Sequence, residues 1–452
     1  MRYTLSELAE KCGGVLCEGS DGNRVFTRID SDSRAIKDGA TLFAAFRGDN
    51  FDGHRFAAEL CEKGGAIIDD PGYACPNAIL VKDVKSALYR LALQHRGEKL
   101  SHLKVLAITG SVGKTTTKNM AALVMGAHYK IYKSAGNRNS LTGLPMEILN
   151  IPEDSEWAVL EAGMSDPGEI SKISALIKPE AAIITNIGHS HILAFGSREG
   201  ICKEKLDITA GMTDVNLTMP DEPLLIAACK DTEGAVFCSV KDSGTDAYIK
   251  DVIEKDGFTR FIACYAGKET SIDLPSLGIH NVHNALLCFV CGVRLGVPAE
   301  SAAAALGGFM VEGLRQSIRQ TEGVTVIADC YNASPESMGA ALSVLKTGTG
   351  KRIAVLGDML ELGEHAPRLH RLVGSAVVSA ADILICVGSD VKYIAEKATE
   401  DGFAGENLYV FESEEYVAAA ELLKNLLNKG DTVLFKASNR TNIRKVLELS
   451  GL

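Results

Sequence analysis

Short apolar runs rich in β-branched residues alternate with helix-type patterns along almost the whole chain. The clearest runs, each expected to form a strand, cover residues 105–108, 157–160, 181–185, 324–328, 352–356, 382–387 and 431–435. Residues with helical spacing separate them, and no repeat with a period of roughly 20–50 residues is present. Alternation of this kind is typical of α/β layers built on mainly parallel sheets. The pattern therefore predicts an α/β fold.

The chain divides into three regions by content. At 452 residues it is too long for one ordinary domain. Residues 1–100 are expected to form a small α/β unit whose last helix, over 84–94, leads into the strand at 105–108. Residues 101–313 are expected to form a central domain, and residues 314–452 a Rossmann-like domain of strands separated by helices. We therefore expect three domains.

Composition and charge restrict the class of protein. Apolar residues make up 46% and charged residues 23%, typical of a soluble globular protein, and the net charge is −11. No Lys/Arg-rich run is present, which argues against nucleic acid or an anionic membrane as the main partner. No apolar run approaches the ~18 residues that span a bilayer, and residues 1–10 resemble an amphipathic helix more than a signal peptide. We expect a cytoplasmic protein without stable membrane insertion.

The twelve cysteines are expected to be reduced and mostly buried. Cys288 and Cys291 form a CxxC pair, but the pair lies in an apolar helical stretch and has no second pair. Core packing is therefore favoured over metal binding.

A glycine-rich loop follows the strand at 105–108 and opens a helical segment at 118–125. Its central residues are Gly110, Ser111, Val112, Gly113, Lys114, Thr115 and Thr116. Glycines let successive N–H groups converge on phosphate oxygens, the lysine supplies charge, and a threonine hydroxyl suits Mg²⁺. The loop is a shortened variant of the Walker A pattern, because Ile108 stands where the first glycine would be. A Gly/Thr-rich turn is the alternative; the pattern favours ATP or GTP binding.

Further candidates follow the strands at 157–160 and 181–185. Glu161 is placed to hold Mg²⁺, although a surface glutamate at a strand end is an equal alternative. His189 and His191 lack a third ligand with zinc spacing, so a zinc site is not favoured. One of them could be a neutral ligand to Mg²⁺ or Mn²⁺, or an acid/base. The alternative is that they only form hydrogen bonds within the loop. The charge pattern of residues 203–207 by itself predicts a solvent-exposed helical face.

Two polar residues near the ends of the central region have open interpretations. Asn281 lies where a helix begins, so its amide could cap that helix or contact an adenine edge. Arg315 lies at the junction of the second and third regions, and its guanidinium could reach a γ-phosphate only if those regions close on one another.

The sequence resembles the Mur ligases over nearly its whole length. The motifs that carry the resemblance lie at residues 32–34, 52–56, 109–118, 136–139, 161–163, 168–170, 185–191, 195–207, 280–285, 329–335 and 357–363. The resemblance implies a three-domain architecture with a central P-loop parallel-sheet domain and a Rossmann-like C-terminal domain. The motifs at 329–335 and 357–363 are most similar to the family member that joins D-alanyl-D-alanine to UDP-N-acetylmuramoyl-tripeptide. That activity uses ATP, passes through an acyl phosphate and contributes to peptidoglycan synthesis.

The resemblance also implies residue roles. Catalytic roles fall on Lys114, Lys205, His191 and Arg315, and nucleotide contacts on the loop residues 110–116 with Asn281 (adenine), Arg315 (phosphate) and Asp329 (ribose). Two Mg²⁺ ions would be held by Thr115, Glu161, His191 and Lys205, the last as a carbamylated lysine. Substrate contacts fall on Ser33, Arg34, Asp52 and His54 for the UDP-sugar, and on Asn137, Asn139 and Asn332. The C-terminal domain would deliver the dipeptide.

The chain departs from the family pattern at three positions. Ala328 stands where an acidic residue is common, Leu193 where a carboxylate often follows the histidine, and Asn439 where an arginine is usual. The change at Asn439 puts any contact carried over from its loop in doubt.

Three rival interpretations remain: a Mur ligase that adds one diamino acid, a P-loop NTPase that only hydrolyses, and a Mur-like binding module without turnover. A monomer is expected.

Overall fold

The computed structural model of the protein describes residues 1–48, 51–136, 138–255, 257–310 and 317–452. In these ranges, three large sheets of five, nine and six strands follow one another along the chain. The expected three-domain α/β architecture is therefore confirmed. The expected boundary between residues 313 and 314 lies outside the described residues.

The N-terminal domain is built on the five-stranded sheet, with strand order β2-β9-β8-β5-β4. Its strands are β1 Tyr3–Thr4, β2 Val15–Leu16, β3 Val25–Phe26, β4 Arg28–Asp30, β5 Thr41–Ala44, β6 Arg47–Gly48, β7 Phe51–Asp52, β8 Gly65–Ile68 and β9 Ala78–Leu80, and its helices are α1 Leu5–Cys12, α2 Ala57–Lys63 and α3 Val84–Glu98. The helix expected over 1–10 begins only at Leu5, because Thr4 and Glu7 form a capping box at that point.

The central domain carries the nine-stranded sheet, ordered β11-β12-β10-β13-β14-β15-β16-β17-β18. Its strands are β10 Lys104–Thr109, β11 Ile131–Lys133, β12 Trp157–Glu161, β13 Ala181–Ile184, β14 Leu217–Pro220, β15 Ala235–Ser239, β16 Ala247–Lys255, β17 Phe258–Tyr265 and β18 Lys268–Leu274. Its helices are α4 Lys114–Gly126, α5 Gly143–Asn150, α6 Glu169–Ile177, α7 Ile192–Phe195, α8 Arg198–Leu206, α9 Pro223–Cys229, α10 Ile279–Arg294 and α11 Ala299–Leu306. Because β10 pairs in parallel with β12 and β13, the carboxyl ends of all three strands meet at one edge.

The C-terminal domain has a six-stranded sheet, ordered β19-β20-β24-β21-β22-β23. Its strands are β19 Ser317–Thr321, β20 Val324–Asp329, β21 Arg352–Gly357, β22 Ile383–Val387, β23 Leu408–Phe411 and β24 Thr432–Lys436, and its helices are α12 Pro335–Leu345, α13 Ala366–Ala380, α14 Lys392–Glu400, α15 Tyr416–Leu426 and α16 Arg444–Ser450. Five of the strands pair in parallel, as a Rossmann-like layout requires.

The N-terminal and central domains are joined by direct hydrogen bonds. The Asn150 side chain pairs with both backbone groups of Ile29, donating to its carbonyl at 2.9 Å and accepting from its N–H at 3.1 Å. Buried Arg96, on α3, donates to the carbonyls of Ile177 at 3.3 Å and Leu103 at 2.7 Å. The amide of Asn150 thus extends the edge of β4 much as another strand would.

The cysteines are mostly buried, as expected. All twelve cysteines are free, and Cys288 and Cys291 are buried on α10. None of the described helices is both long and apolar enough to span a bilayer.

Candidate active site

The loop after β10 adopts a tight turn that its glycines make possible. Gly110 has φ of +145° and Gly113 has φ of +83°, values that favour glycine. A Cβ on Gly110 would lie 1.8 Å from Thr185 Oγ1 at the end of β13. Thr185 Oγ1 in turn donates to the carbonyl of Val112, and the Val112 N–H donates to Asn186 Oδ1 at 3.0 Å. The neighbouring strand therefore holds the loop in shape.

Helix α4 begins at Lys114, four residues before the expected segment at 118–125. Thr115 and Thr116 thus lie in its first turn, where N–H groups lack helical partners. Lys114 Nζ lies back over the loop, 2.9 Å from the Gly110 carbonyl and 3.4 Å from that of Ser111. A glycine-rich turn, a lysine and a helix N-terminus together suit a phosphate group.

Glu161 is the last residue of β12, and it is 2% exposed. Its Oε2 accepts a hydrogen bond from Thr115 Oγ1 at 2.8 Å, and its Oε1 accepts one from Asn139 Nδ2 at 2.7 Å. Lys118 Nζ is 3.9 Å from Oε2. The surface-glutamate alternative is therefore wrong. A buried carboxylate beside a hydroxyl and a phosphate loop provides the oxygen ligands that Mg²⁺ prefers.

Lys205 lies on α8 and is buried, contrary to the interpretation of residues 203–207 as a solvated run. Its Nζ donates to Met164 Sδ at 3.7 Å. Burial, and then the nearby Lys114 charge, lower the pKa of Lys205 well below its ordinary value. Its neighbour Glu204 is buried as well, accepting from the backbone N–H groups of Gly168 at 2.8 Å and Ile170 at 2.9 Å where α6 begins.

The two histidines after β13 contact carboxylates of the C-terminal domain. His191 Nδ1 is 3.0 Å from Glu361 Oε2, and burial together with the Lys114 charge lowers the pKa of His191. The backbone N–H of His189 donates to Glu336 Oε1 at 3.1 Å, and its Nδ1 is 2.5 Å from the same oxygen. Within the described ranges, no three His, Cys, Asp or Glu side chains are grouped as a metal would require. These contacts join the central and C-terminal domains.

A cavity of about 290 Å³ lies between these two domains. Its lining includes Ser111, Val112, Gly113, Lys114, Thr116, Asn139, Glu161, His191 and Asn281 from the central domain, and Asp329, Asn332 and Lys436 from the C-terminal domain. Lys436 is buried where β24 ends, and its Nζ donates to Asp329 Oδ2 at 2.6 Å and to the Asn332 carbonyl at 2.9 Å. No role in this site was predicted for Lys436 from the sequence.

Of the three remaining candidates in the central and C-terminal regions, the structure describes one, Asn281. The Asn281 amide donates to Ser276 Oγ at 2.8 Å and to the Leu277 carbonyl at 2.9 Å. Its side chain is thus anchored at the start of α10, on the cavity wall, and an adenine contact stays a prediction. Arg315 and Asn137 lie outside the described residues.

The N-terminal candidates lie elsewhere: among the described residues that line the cavity, none comes from residues 1–100. Arg34 forms a bidentate ion pair with Asp32 on an exposed turn that also carries Ser33. Asp52 accepts from His54 Nδ1 at 2.7 Å, and His54 Nε2 is 3.0 Å from Asp69 Oδ1. Since His54 is fully buried, its contribution would be to orient these carboxylates.

A separate groove of about 360 Å³ lies next to Asp52. Its lining consists of Ser31, Phe46, Arg47, Gly48, Phe51, Gly53, Lys85 and Thr142. The groove offers two aromatic rings to a flat base and the Lys85 cation to a phosphate, whereas Arg47 already forms ion pairs with Asp52 and Asp70.

Models of known families match both domains that form the cavity. A model described as the Mur ligase middle domain matches residues 108–292, and one described as the Mur ligase, glutamate ligase domain matches residues 315–439. The chain belongs to the Mur ligase family. The matched segments lie in the two domains that form the cavity, and the glycine-rich loop and Glu161 lie within the first of them.

Relatives in this family match the chain over its full length. A protein of Bacillus subtilis (strain 168) named UDP-N-acetylmuramoyl-tripeptide--D-alanyl-D-alanine ligase is 37% identical, with 99% of this chain and 98% of the relative covered. The crystal structure of MurF from Acinetobacter baumannii matches with a TM-score of 0.88 at 28% identity, covering 100% of this chain and 99% of that one. MurF from Thermotoga maritima, solved in complex with ADP, matches with a TM-score of 0.80 at 27% identity, covering 94% and 96%.

Proposed function

We propose that this Mur ligase joins D-alanyl-D-alanine to UDP-N-acetylmuramoyl-tripeptide at the expense of ATP, in peptidoglycan precursor synthesis. The observation that carries the proposal is the cavity in which the phosphate loop and Glu161 face Asp329, Asn332 and Lys436 of the C-terminal domain. Full-length similarity to relatives named for this activity supports the choice of substrates.

The reaction needs an activated carboxylate. The terminal carboxylate of the tripeptide attacks the γ-phosphorus of ATP, releasing ADP and forming an acyl phosphate. The amine of D-alanyl-D-alanine then attacks the acyl carbon, the tetrahedral intermediate expels phosphate, and the amine loses its proton to leave an amide. The Lys114 charge would offset that of the transferred phosphate, and closure of the two domains over the cavity would keep water from the acyl phosphate. Positioning therefore dominates the chemistry of this site.

The side chains at the end of β12 suit Mg²⁺. The Thr115 hydroxyl and the buried Glu161 carboxylate would hold an ion that keeps its other positions for water and phosphate oxygens. Such an ion supplies positive charge to the phosphates as they transfer. A second ion near His191 is part of the same proposal.

We further propose that the amine of Lys205 is carbamylated. Burial lowers the pKa of Lys205 and so favours the neutral, nucleophilic amine, whose attack on CO₂ would give an N-carboxylate and a proton. The product would be an oxygen ligand for Mg²⁺ where an ammonium would repel the ion. Met164 Sδ beside Nζ offers no competing charge.

Carbon-13 NMR tests this carbamate directly. Protein equilibrated with ¹³C-bicarbonate should show one carbamate resonance, which Lys205→Ala removes and Lys203→Ala, at an exposed position of the same helix, keeps. We expect Lys205→Ala to lose nearly all ligation, and a short-chain carboxylic acid to restore part of it where bicarbonate does not. Ligation by Lys205→Ala at the native rate would show that no carbamate is needed.

The proposal assigns one task to each domain. Residues 1–100 would bind the UDP-sugar, residues 101–313 would bind ATP, and residues 314–452 would deliver the dipeptide. Arg315 would then approach the phosphates when the domains close, and Asn332 would face the peptide. A monomer suffices for this arrangement, because the cavity is formed within one chain.

The first experiment measures phosphate release from ATP with UDP-N-acetylmuramoyl-tripeptide, with and without D-alanyl-D-alanine, and weighs the product by mass spectrometry. We expect release that depends on the dipeptide and a product heavier by one dipeptide unit. Release indifferent to both substrates would instead favour a plain NTPase. A diamino acid that replaces the dipeptide as acceptor would favour the sibling ligase.

A further inference from the structure

The Arg138 side chain joins the central domain to the N-terminal domain. Its Nη2 donates to both carboxylate oxygens of Asp30, at 2.8 and 2.9 Å, and its Nη1 is 3.6 Å from Glu147 Oε1. Asp30 is 6% exposed and Glu147 is 1% exposed. One guanidinium therefore contacts two buried carboxylates from different domains.

On the N-terminal side, Asp30 shapes the turn that carries candidate UDP-sugar contacts. Its Oδ1 also accepts from the backbone N–H groups of Ser31 at 2.8 Å and Asp32 at 3.0 Å. The turn continues directly into Ser33 and Arg34. A shift of Asp30 would therefore move this turn.

On the central side, the residue after Arg138 reaches the candidate metal site. Asn139 donates to Glu161 Oε1 at 2.7 Å, and its carbonyl accepts from the Gly163 N–H at 2.7 Å. Glu147, the second partner of Arg138, accepts from Tyr132 OH at 2.7 Å and so ties α5 to β11. Arg138 thus stands between the N-terminal turn and the side chain that bonds Glu161.

We propose that Arg138 is a positioning residue that couples binding of the UDP-sugar peptide in the N-terminal domain to binding of magnesium nucleotide in the central domain. The inference rests on the proposed function for the identity of the two ligands. Without the guanidinium, Asp30 and Glu147 would lose the cation that they share. Each carboxylate would then either shift toward solvent or become protonated. The turn after Asp30 and the segment that carries Asn139 would then lose the side chain that links them, although the Asn150–Ile29 hydrogen bonds still hold the two domains together. We therefore expect the coupling between the sites to be lost while the domains stay joined.

Isothermal titration calorimetry tests the coupling without turnover. The dissociation constant of Mg²⁺–ADP is measured with and without saturating UDP-N-acetylmuramoyl-tripeptide. For the native protein we expect binding at least about fivefold tighter when the peptide is present, the lower end of typical allosteric coupling. Arg138→Met should bring the ratio of the two constants close to one, and Arg138→Lys, which keeps a cation, should restore part of it.

A matched control separates positioning from stability. Tyr89→Phe removes a different hydrogen bond between the same two domains, from Tyr89 OH to the Lys172 carbonyl at 3.0 Å, and should keep the native ratio. If Arg138→Met does not fold, the double variant Arg138→Met/Glu147→Gln removes one of the two uncompensated charges and is measured in its place.

The outcomes distinguish the two proposals. A native protein that binds no UDP-N-acetylmuramoyl-tripeptide would contradict the proposed function itself. A native protein that binds the peptide with a ratio of one, or an Arg138→Met variant that keeps the native ratio, would overturn the role of Arg138 and leave the ligase function standing.

Discussion

Replacing Asn139 with alanine would reveal which partner this side chain serves. Family resemblance places Asn139 near the peptide substrate, whereas the structure shows its Nδ2 donating to Glu161 Oε1 at 2.7 Å. Glu161 is 2% exposed, so water cannot readily replace the lost donor. If Asn139 acts through Glu161, Asn139→Ala weakens Mg²⁺ binding and leaves substrate binding unchanged.

Two independent considerations give the size of the effect. A hydrogen bond to a charged group contributes about 1.5–3 kcal/mol. Loss of a partner that orients a metal-binding side chain costs about 10–100-fold in metal affinity, and this corresponds to about 1.4–2.7 kcal/mol. The ranges overlap, so we expect the Mg²⁺ concentration for half-maximal activity to rise about 10–100-fold.

The assay is phosphate release as a function of Mg²⁺, repeated as a function of UDP-N-acetylmuramoyl-tripeptide at saturating Mg²⁺. Ser165→Ala, which removes a hydroxyl from the wall of the same cavity, serves as the control and should leave both curves unchanged. An Asn139→Ala variant with an unchanged Mg²⁺ curve and a raised KM for the peptide would refute the reasoning and make Asn139 a substrate contact.

Three further predictions follow from particular contacts. In Gly110→Ala the new Cβ would meet Thr185 Oγ1 at 1.8 Å, so the loop or Thr185 must shift. If about 1–3 kcal/mol of strain adds to the activation barrier, phosphate release should fall about 5–150-fold, and native-like release would contradict the clash. Lys436→Met leaves the Asp329 carboxylate, which is 18% exposed, without its cation. It should lower the free energy of unfolding in urea by about 1–3 kcal/mol, less than for a fully buried pair, with part recovered by adding Asp329→Asn. Burial lowers the pKa of His95 to about 3, so between pH 6.5 and 3 the unfolded chain binds a proton that the folded chain does not. Stability should therefore fall as the pH decreases through this range, by up to about 1.4 kcal/mol per pH unit, and His95→Leu should flatten the slope in urea unfolding.

The sequence predicts the parts of the site that depend on neighbouring residues in the chain. An apolar strand, two glycines and a lysine are enough to identify the phosphate loop, because each acts through the local backbone. The strands beside it are found by the same apolar runs. The antiparallel strands β16, β17 and β18 at one end of the sheet were not expected, because their solvent-facing residues break up the apolar run.

Burial of Lys205 could not be read from the charge pattern. Residues 203–207 look like a solvated helical face, and Lys203 is indeed exposed. However, Glu204 turns inward because its carboxylate satisfies two N–H groups where α6 begins, 34 and 36 residues earlier in the chain. Lys205 follows it into the interior beside Met164. Only the family resemblance gave this lysine a role, since the packing that buries it is not local.

The contacts that assemble the cavity are more distant still. His189 meets Glu336 across 147 residues, and Lys436 meets Asp329 across 107. The Lys436 pair lies within the C-terminal domain and forms when that domain folds, whereas the His189 pair exists only when two folded domains dock. The Thr115–Glu161 hydrogen bond belongs to the central domain alone. Phosphate and Mg²⁺ binding should therefore be properties of that domain, whereas amide formation depends on contacts that domain docking creates.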